Sequence, residues 1–345
     1  PASSSIGPTY QRYAPMPIQP DIYTYNNSDD TSSEPAAGIA QSGAAAELAA
    51  GLLDDKAHVS PKYLYDTLGS KLFEALCLLP EYYPTRTEDA IVAANMASIT
   101  QAMGPDATLI DLGAGNCAKA ARLFPMLQPR QYVPIDISRD FLEQAAAQLQ
   151  PRYPHMRITP LGLDFSHKLD LPASIPAERR VFFYPGSSIG NFSPDQASAF
   201  LRRLRNVCGT DGAIVLGVDL IKDAAVLQAA YDDAVGLTSA FNLNLLRNVN
   251  RLLGSDFNVA DWTHEARFNE RAQCMEMHLK ARRSVIVRWP GAQRLFERHE
   301  CIHTENSYKY TVPSIEHLLS LAGFTQTQTW LDEQSWFAIV HARAS

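Results

Sequence analysis

The sequence predicts an α/β protein: a parallel sheet with helices on both faces, joined by a smaller α+β unit. Three observations carry this expectation. Short apolar runs alternate with helical ones between residues 108 and 220; the first of these runs ends in a glycine turn; and past residue 221 the alternation gives way to a long helical stretch followed by strands.

Residues 1–35 are rich in Pro, Ser, Tyr and Asp without apolar period, and are expected to stay mobile or drape over the surface. Helical segments follow in "AAAELAAGLLD", "GSKLFEALCLL" and "RTEDAIVAANMASITQAM". Between the last two, the prolines of "PEYYPTR" predict a loop that displays Tyr82 and Tyr83. The alternating block then reads as strand "TLIDLG", helix 117–128, strand "QYVPID", helix 138–150, strands "RITPLGLD" and "RVFFYPGSS", helix 193–207 and strand "GAIVLGVDL". At "SPDQ", Ser193 is placed to cap a helix, with Pro194 at its first position and Gln196 completing a capping box. One long helical stretch to about 253 leads into strands "WTHEARFN", "CMEMHLKARRSVIVRW" and "RHECIHTENSYKY", then helix 312–323 and a last strand "SWFAIVHAR". The expected organisation is a tail over 1–35, a substrate-binding domain from 36–85 plus 222–308, and a sheet domain from 86–221 plus 309–345.

Composition narrows the function. With 46% apolar and 19% charged residues this is an ordinary globular chain, and its net charge of −7 offers no footprint for nucleic acid or anionic lipid. Five cysteines without a C-x-x-C pair argue for a reducing compartment, read as the cytoplasm. No run approaches the eighteen or so apolar residues of a spanning helix, so neither membrane nor export is indicated.

The glycine turn is the first functional signal. Gly113, Gly115 and Ala118 fit G-x-G-x-x-A, and Asp136 ends the next strand. On that basis a nicotinamide dinucleotide and S-adenosylmethionine both remain open, since each has ribose hydroxyls for an acidic side chain to accept. A tight turn with no ligand would read the same way. Asp111, two residues before the first glycine, would repel a pyrophosphate but attract the ammonium of a methionine moiety. Asp164 and Phe165 of "LDF" suit an adenine amino group and ring face. "PGSSIGN" opens the backbone at the carboxyl edge of the sheet, where ligands of such sheets bind. These features tilt the reading to S-adenosylmethionine.

On the substrate side, Asn191 supplies a donor and an acceptor and Tyr231 a phenol, a pair suited to a carboxylate; Tyr231 would also pass as a core aromatic. In "HTENSYKY" the strand period puts Glu305 and Ser307 on one face, able to grip a ring bearing N–H groups such as imidazole, and Asn306 and Tyr308 on the other. A solvated strand edge is the plain alternative. His299, Cys301 and His303 share a face, but no second ligand cluster completes a metal site, so none is expected.

Together, "PKYLYDTLGSKLFE", "LPEYYPTRTE", "DLGAGNCAK", "GSSIGNF", "GVDLIKDAAVLQAAYDDAVGLTSAFNLN", "MEMHLKAR" and "HTENSYKY" resemble the histidine Nα-methyltransferases of ergothioneine biosynthesis, which make the betaine hercynine. The likeness runs from about residue 45 to the C-terminus. It implies a Rossmann-like class I methyltransferase sheet domain with a second α+β substrate-binding domain made by the N-terminal helices and an insertion. For the cofactor it implies Gly113, Lys119, Asp136, Asp164 and Phe165, with Tyr65 near the reacting amine. For L-histidine it implies Asn191 and Tyr231 at the carboxylate, Tyr82, Glu305 and Ser307 at the imidazole, Met277 lining the side-chain pocket, and the Gly186 backbone near the amine. Asn306 and Tyr308 depart from the smaller or less polar residues of the family. A monomer acting on a free amino acid is the corresponding expectation; the rivals are a methyltransferase for another amino acid or histidine derivative, a nicotinamide-dependent oxidoreductase, and a non-catalytic cofactor-binding paralogue.

Overall fold

Strands β1 (Thr108–Leu112) and β6 (Ala213–Asp219) are buried at every position, as strands covered on both faces must be. With β2 (Gln131–Asp136), β3 (Arg157–Ile158), β4 (Leu161–Gly162), β5 (Arg180–Tyr184), β12 (Phe324–Leu331) and β13 (Phe337–Ala344) they form one eight-stranded sheet. Its order is β12-β13-β6-β5-β1-β2-β3, with β4 also on β2. β1, β2, β3, β4, β5 and β6 pair in parallel; β13 runs antiparallel to β6 and to β12. This is the Rossmann-like sheet with one reversed strand near its edge. The computed structural model describes residues 36–345 except residue 167, and the side chains from 43 on; the tail read over 1–35 lies outside the described residues.

Several boundaries differ from the sequence expectation. α3 (Tyr83–Met103) starts inside the expected loop, because Pro84 occupies its first turn, where a missing N–H costs nothing. The single helix expected over 117–128 is two short ones, α4 (Ala118–Ala121) and α5 (Phe124–Leu127), parted just before Pro125. The stretch 221–253 divides into α8 (Ala224–Tyr231) and α9 (Leu237–Leu253), with Gly236 at φ +83° between them. The expected strand over 274–289 is β8 (Cys274–Ala281) and β9 (Val285–Trp289), and β10 (Ala292–Phe296) and β12 were not anticipated. The capping box on α7 (Pro194–Cys208) is formed: Ser193 N–H donates to Gln196 Oε1 at 2.9 Å and Gln196 N–H to Ser193 Oγ at 3.4 Å.

A second sheet sets β8 between β7 (Trp262–Asn269) and β11 (Cys301–Tyr308), all antiparallel, with β9 and β10 as a separate hairpin. Its apolar face shares one core with the N-terminal helices. Leu48 and Leu52 of α1 (Ala36–Leu53), Leu64 and Tyr83 pack with Phe241, Met277 and Ile302. Arg294 ties the two parts further, donating to Leu52 O at 2.6 Å, and His303 exchanges backbone bonds of 2.9 Å with Ala57 and Val59.

β11 carries a bulge between His303 and Glu305. Ile302 and Thr304 point inward before it, Glu305 and Ser307 after it, so Thr304 and Glu305 are both buried in succession. His303 therefore faces away from Glu305, although strict alternation would place them together. Gly190, in the 3₁₀ turn Ser188–Asn191 after β5, lets this strand dock: a β-carbon there would lie 2.8 Å from Tyr308 O.

Candidate active site

Gly113 and Gly115 take φ of +70° and +52°, and a β-carbon on either would meet nothing within 4 Å, so the turn opens onto free space. Asp136 braces it: Oδ2 accepts Gly115 N–H at 3.0 Å and Oδ1 accepts Ser138 N–H at 2.9 Å. Behind the turn, Asp111 is buried; its Oδ2 accepts the Tyr132 hydroxyl at 2.7 Å and its Oδ1 has no partner. Burial pushes its pKa up to about 7, against the pull of Tyr132 and Lys119.

Past β4, Asp164 bonds Lys62 Nζ at 3.0 Å and the Ser166 N–H at 2.9 Å, and these bonds outweigh burial to hold its pKa low. Phe165 is half-buried, its ring 5.9 Å edge-on from Tyr184. After β5, Gly186 N–H donates to Glu88 Oε1 at 2.7 Å, while Lys119 Nζ binds Glu88 Oε2 at 2.6 Å. A buried glutamate from α3 thus joins Lys119 to the Gly186 backbone.

The ring-facing residues converge from the opposite side. Tyr65, between the 3₁₀ turn Pro61–Leu64 and α2 (Thr67–Leu76), packs edge-on at 5.5 Å from both Phe73 and Phe241. Its carbonyl accepts Ser138 Oγ at 3.2 Å, which sets it two residues from Asp136. Tyr82 lies 6.0 Å from Phe73. Burial, then the fields of Glu305, Tyr231 and neighbouring groups, hold the Tyr65 and Tyr82 phenols well above the usual range, so neither is an anion at neutral pH. Met277 pairs across the ladder with Glu305 and is buried. Burial raises the Glu305 pKa to about 7, while Lys309 and a hydrogen bond from Asn191 pull it down.

Beneath Glu305 lies a polar cluster. Tyr231 hydroxyl donates to Ser307 Oγ at 2.6 Å, and Lys309 Nζ donates to Ser307 Oγ at 2.7 Å, to Tyr231 Oη at 3.1 Å and to Asp219 Oδ2 at 2.8 Å. Asp219 also accepts the Tyr83 hydroxyl at 2.8 Å and Lys222 Nζ at 2.5 Å. Burial tends to raise the Asp219 pKa, but Lys309 and Lys222 hold it low; burial pushes Lys222 down to about 8.

The candidate site residues come from two sets of elements. Asp111, Gly113, Gly115, Lys119, Asp136, Asp164, Phe165, Gly186 and Asn191 lie at or just past the carboxyl ends of the parallel strands; Tyr65, Tyr82, Tyr231, Met277, Glu305 and Ser307 come from the N-terminal segments, α8, β8 and β11, and Asn191 bonded to Glu305 and Ser138 bonded to the Tyr65 carbonyl join the two sets. Ser307 and Tyr231, expected at opposite ends of a substrate, are hydrogen-bonded to each other. Asn306 faces away, its Oδ1 accepting the Nε2–H of His303 at 2.9 Å, which assigns the ring proton to Nε2 and binds that ring outside the site. His299, Cys301 and His303 do not converge, and among the described residues no group of three or more His, Cys, Asp or Glu is placed to hold a metal ion.

Sequence reasoning missed Glu88, Lys62, Asp219, Lys222 and Lys309. Lys309 had a visible signal: it continues the period of Glu305 and Ser307. Asp219 had another, an acid closing a wholly apolar strand. Glu88 had none, because a helical glutamate looks solvated until its neighbours are known.

Chemically, the site offers a carboxylate suited to vicinal hydroxyls, a buried unpartnered carboxylate oxygen suited to an ammonium, and an aromatic cluster near a carboxylate beside a hydroxyl. Residues 44–344 match the family described as "Histidine-specific methyltransferase, SAM-dependent". The histidine N-alpha-methyltransferase of Mycolicibacterium smegmatis is 36% identical over 300 residues, covering 85% of this chain and 92% of that protein. Its counterpart in Mycobacterium tuberculosis is 37% identical over 297 residues, 84% of this chain and 91% of that one. Ergothioneine biosynthesis protein 1 of Neurospora crassa is 32% identical over 280 residues, 77% of this chain and 31% of that protein.

Proposed function

The chain belongs to the histidine-specific, S-adenosylmethionine-dependent methyltransferase family, and from that premise we propose how its residues act: three successive methyl transfers to the α-amine of L-histidine, giving hercynine, the first step of ergothioneine biosynthesis. The observation that carries this reading is the buried Glu305–Ser307 pair on one face of β11, close to the aromatic cluster of Tyr65, Phe73 and Phe241.

The residues present fit the cofactor. The orphaned Asp111 Oδ1 suits the α-ammonium of its methionine part, the bare turn at Gly113 and Gly115 leaves room for that chain, and Asp136 is placed for the ribose hydroxyls. Lys119 answers its carboxylate, and Asp164 and Phe165 the adenine. When bound, S-adenosylmethionine supplies an electrophilic methyl carbon on a sulfonium.

The protein's part is alignment and exclusion of water, because an in-line displacement needs no covalent nucleophile. Glu305 accepts a ring N–H and Ser307 meets the other ring nitrogen, fixing the imidazole; Tyr82 and Met277 close the pocket around it. Asn191, already bonded to Glu305, turns its remaining amide donor to the substrate carboxylate; Tyr231, whose one proton goes to Ser307 Oγ, borders that end of the site without donating to it. This leaves the α-amine between Tyr65 and the Gly186 backbone. The α-amine of a free amino acid is mostly protonated at neutral pH, so the site must favour its neutral form; desolvation among Tyr65, Phe73 and Phe241 does so. Tyr65 Oη accepts a hydrogen bond from the amine and, as the amine proton leaves, takes it while passing its own phenolic proton to water, so the phenol stays neutral. As methyl groups accumulate, the aromatic faces attract the growing ammonium. The reading places a monomeric enzyme in the cytoplasm, acting on the free amino acid.

The test is mass spectrometry of a reaction holding S-adenosylmethionine and an equimolar mixture of the twenty amino acids. Trimethylated histidine as the sole product is expected; methylation of another amino acid would overturn the roles of Glu305 and Ser307.

A further inference from the structure

The ring-recognition pair rests on a group that none of this chemistry uses. Lys309 is fully buried, and an ammonium has three protons to donate and no lone pair to offer. All three are spent: on Asp219 Oδ2 at 2.8 Å, Ser307 Oγ at 2.7 Å and Tyr231 Oη at 3.1 Å. The two hydroxyl oxygens lie 2.6 Å apart, so one proton fits between them. Neither hydroxyl can donate to the ammonium. The second proton of the pair is therefore free for another partner, and with Tyr231 donating to Ser307 that proton belongs to Ser307, which has no acceptor for it among the described residues. Glu305 stands on the same face of β11, held by Asn191 and with no ion pair to Lys309, whose protons are taken.

We propose that Lys309 is a positioning residue that sets the hydrogen-bond polarity of the substrate pocket, making Ser307 a donor beside the acceptor Glu305, so that the site selects a ring with one N–H and one bare nitrogen. A neutral imidazole has both. An indole or pyrrole lacks the bare nitrogen, and an imidazolium presents two N–H groups, one of which would oppose the Ser307 proton. The proposal rests on histidine being the substrate.

The experiment compares kcat/KM for L-histidine with that for the two pyrrolylalanine isomers, in which carbon replaces one ring nitrogen. The wild-type enzyme prefers histidine by about 10- to 100-fold, the worth of one well-placed hydrogen bond to a buried group. Lys309→Met frees the Ser307 proton to turn away, and the preference falls by about tenfold or more while affinity for S-adenosylhomocysteine holds. Lys309→Gln is the second variant, for the case where the first does not fold: its amide oxygen accepts the Ser307 proton and the preference falls likewise. Equal loss for histidine and its analogues, or an undiminished preference, overturns the positioning role. A wild-type enzyme that ignores histidine overturns the substrate reading, and with it this proposal, in a way visible before any variant is made.

Discussion

Replacing Glu305 by glutamine should strengthen the free protein while crippling its recognition of histidine. The carboxyl is buried, and its pKa rises from the ordinary 4.5 to about 7, burial outweighing Lys309 and Asn191. At 1.36 kcal/mol per pH unit this corresponds to about 3 kcal/mol. For an acid whose folded pKa is raised, the associated stability is present below about pH 4.5 and is lost as pH climbs through 7. Above pH 7 the wild-type protein therefore carries a buried charge that costs about 3 kcal/mol, and Glu305→Gln carries none. Urea unfolding at pH 5 and pH 8 should show the variant little different at the first and more stable by up to about 3 kcal/mol at the second. Calorimetry with S-adenosylhomocysteine present should show histidine bound about 10- to 150-fold more weakly, the loss of one hydrogen bond to a charged group. A stability difference that does not change with pH, or unchanged histidine affinity, would refute the reasoning.

The same carboxyl sets a pH limb: kcat/KM for histidine should rise between pH 6 and 8 as Glu305 loses its proton, and Glu305→Gln should flatten that part of the profile. Asp136→Ala removes the brace on Gly115 and Ser138 as well as the ribose contact, so cofactor affinity should fall about 10- to 100-fold in calorimetry; unchanged affinity would take Asp136 off the ribose. Gly190→Ala puts a β-carbon 2.8 Å from Tyr308 O and must push β11 outward; KM for histidine should rise about tenfold or more with cofactor affinity kept, and an unaffected KM would show that β11 tolerates the shift.

What was legible in the sequence follows from what a linear pattern can record. The central strands declared themselves because burial on both faces leaves only apolar residues, and Ser193 with Gln196 because a cap is a local event. The resemblance to a family nominated the candidate binding residues, since the identities it matches travel together along the chain. β12 went unseen because its middle, "TQTQ", is exposed at the sheet's edge and has no apolar run to show. The break at Asp232–Gly236 was hidden within a helical period that resumes on its far side. The bulge at Thr304 leaves no mark in composition, yet it decides that Glu305 and not His303 is buried on the face of β11 that carries Ser307. Asp219 and Lys309 looked like residues at strand ends, and only the third dimension shows that they neutralise each other in the interior.

The composite core has a consequence for how the chain comes to be made. Leu52 waits for Arg294, 242 residues later, and Tyr83 waits for Asp219, 136 residues later. The sheet itself cannot close until β13 slides in between β6 and β12. While residues 84–295 are being made, the N-terminal helices thus expose apolar faces whose partners do not yet exist, and such surfaces are what holdase chaperones and proteases recognise. Ribosome-bound chains halted before residue 296 should be cut readily within residues 44–83, and chains that include β13 clear of the ribosome should resist.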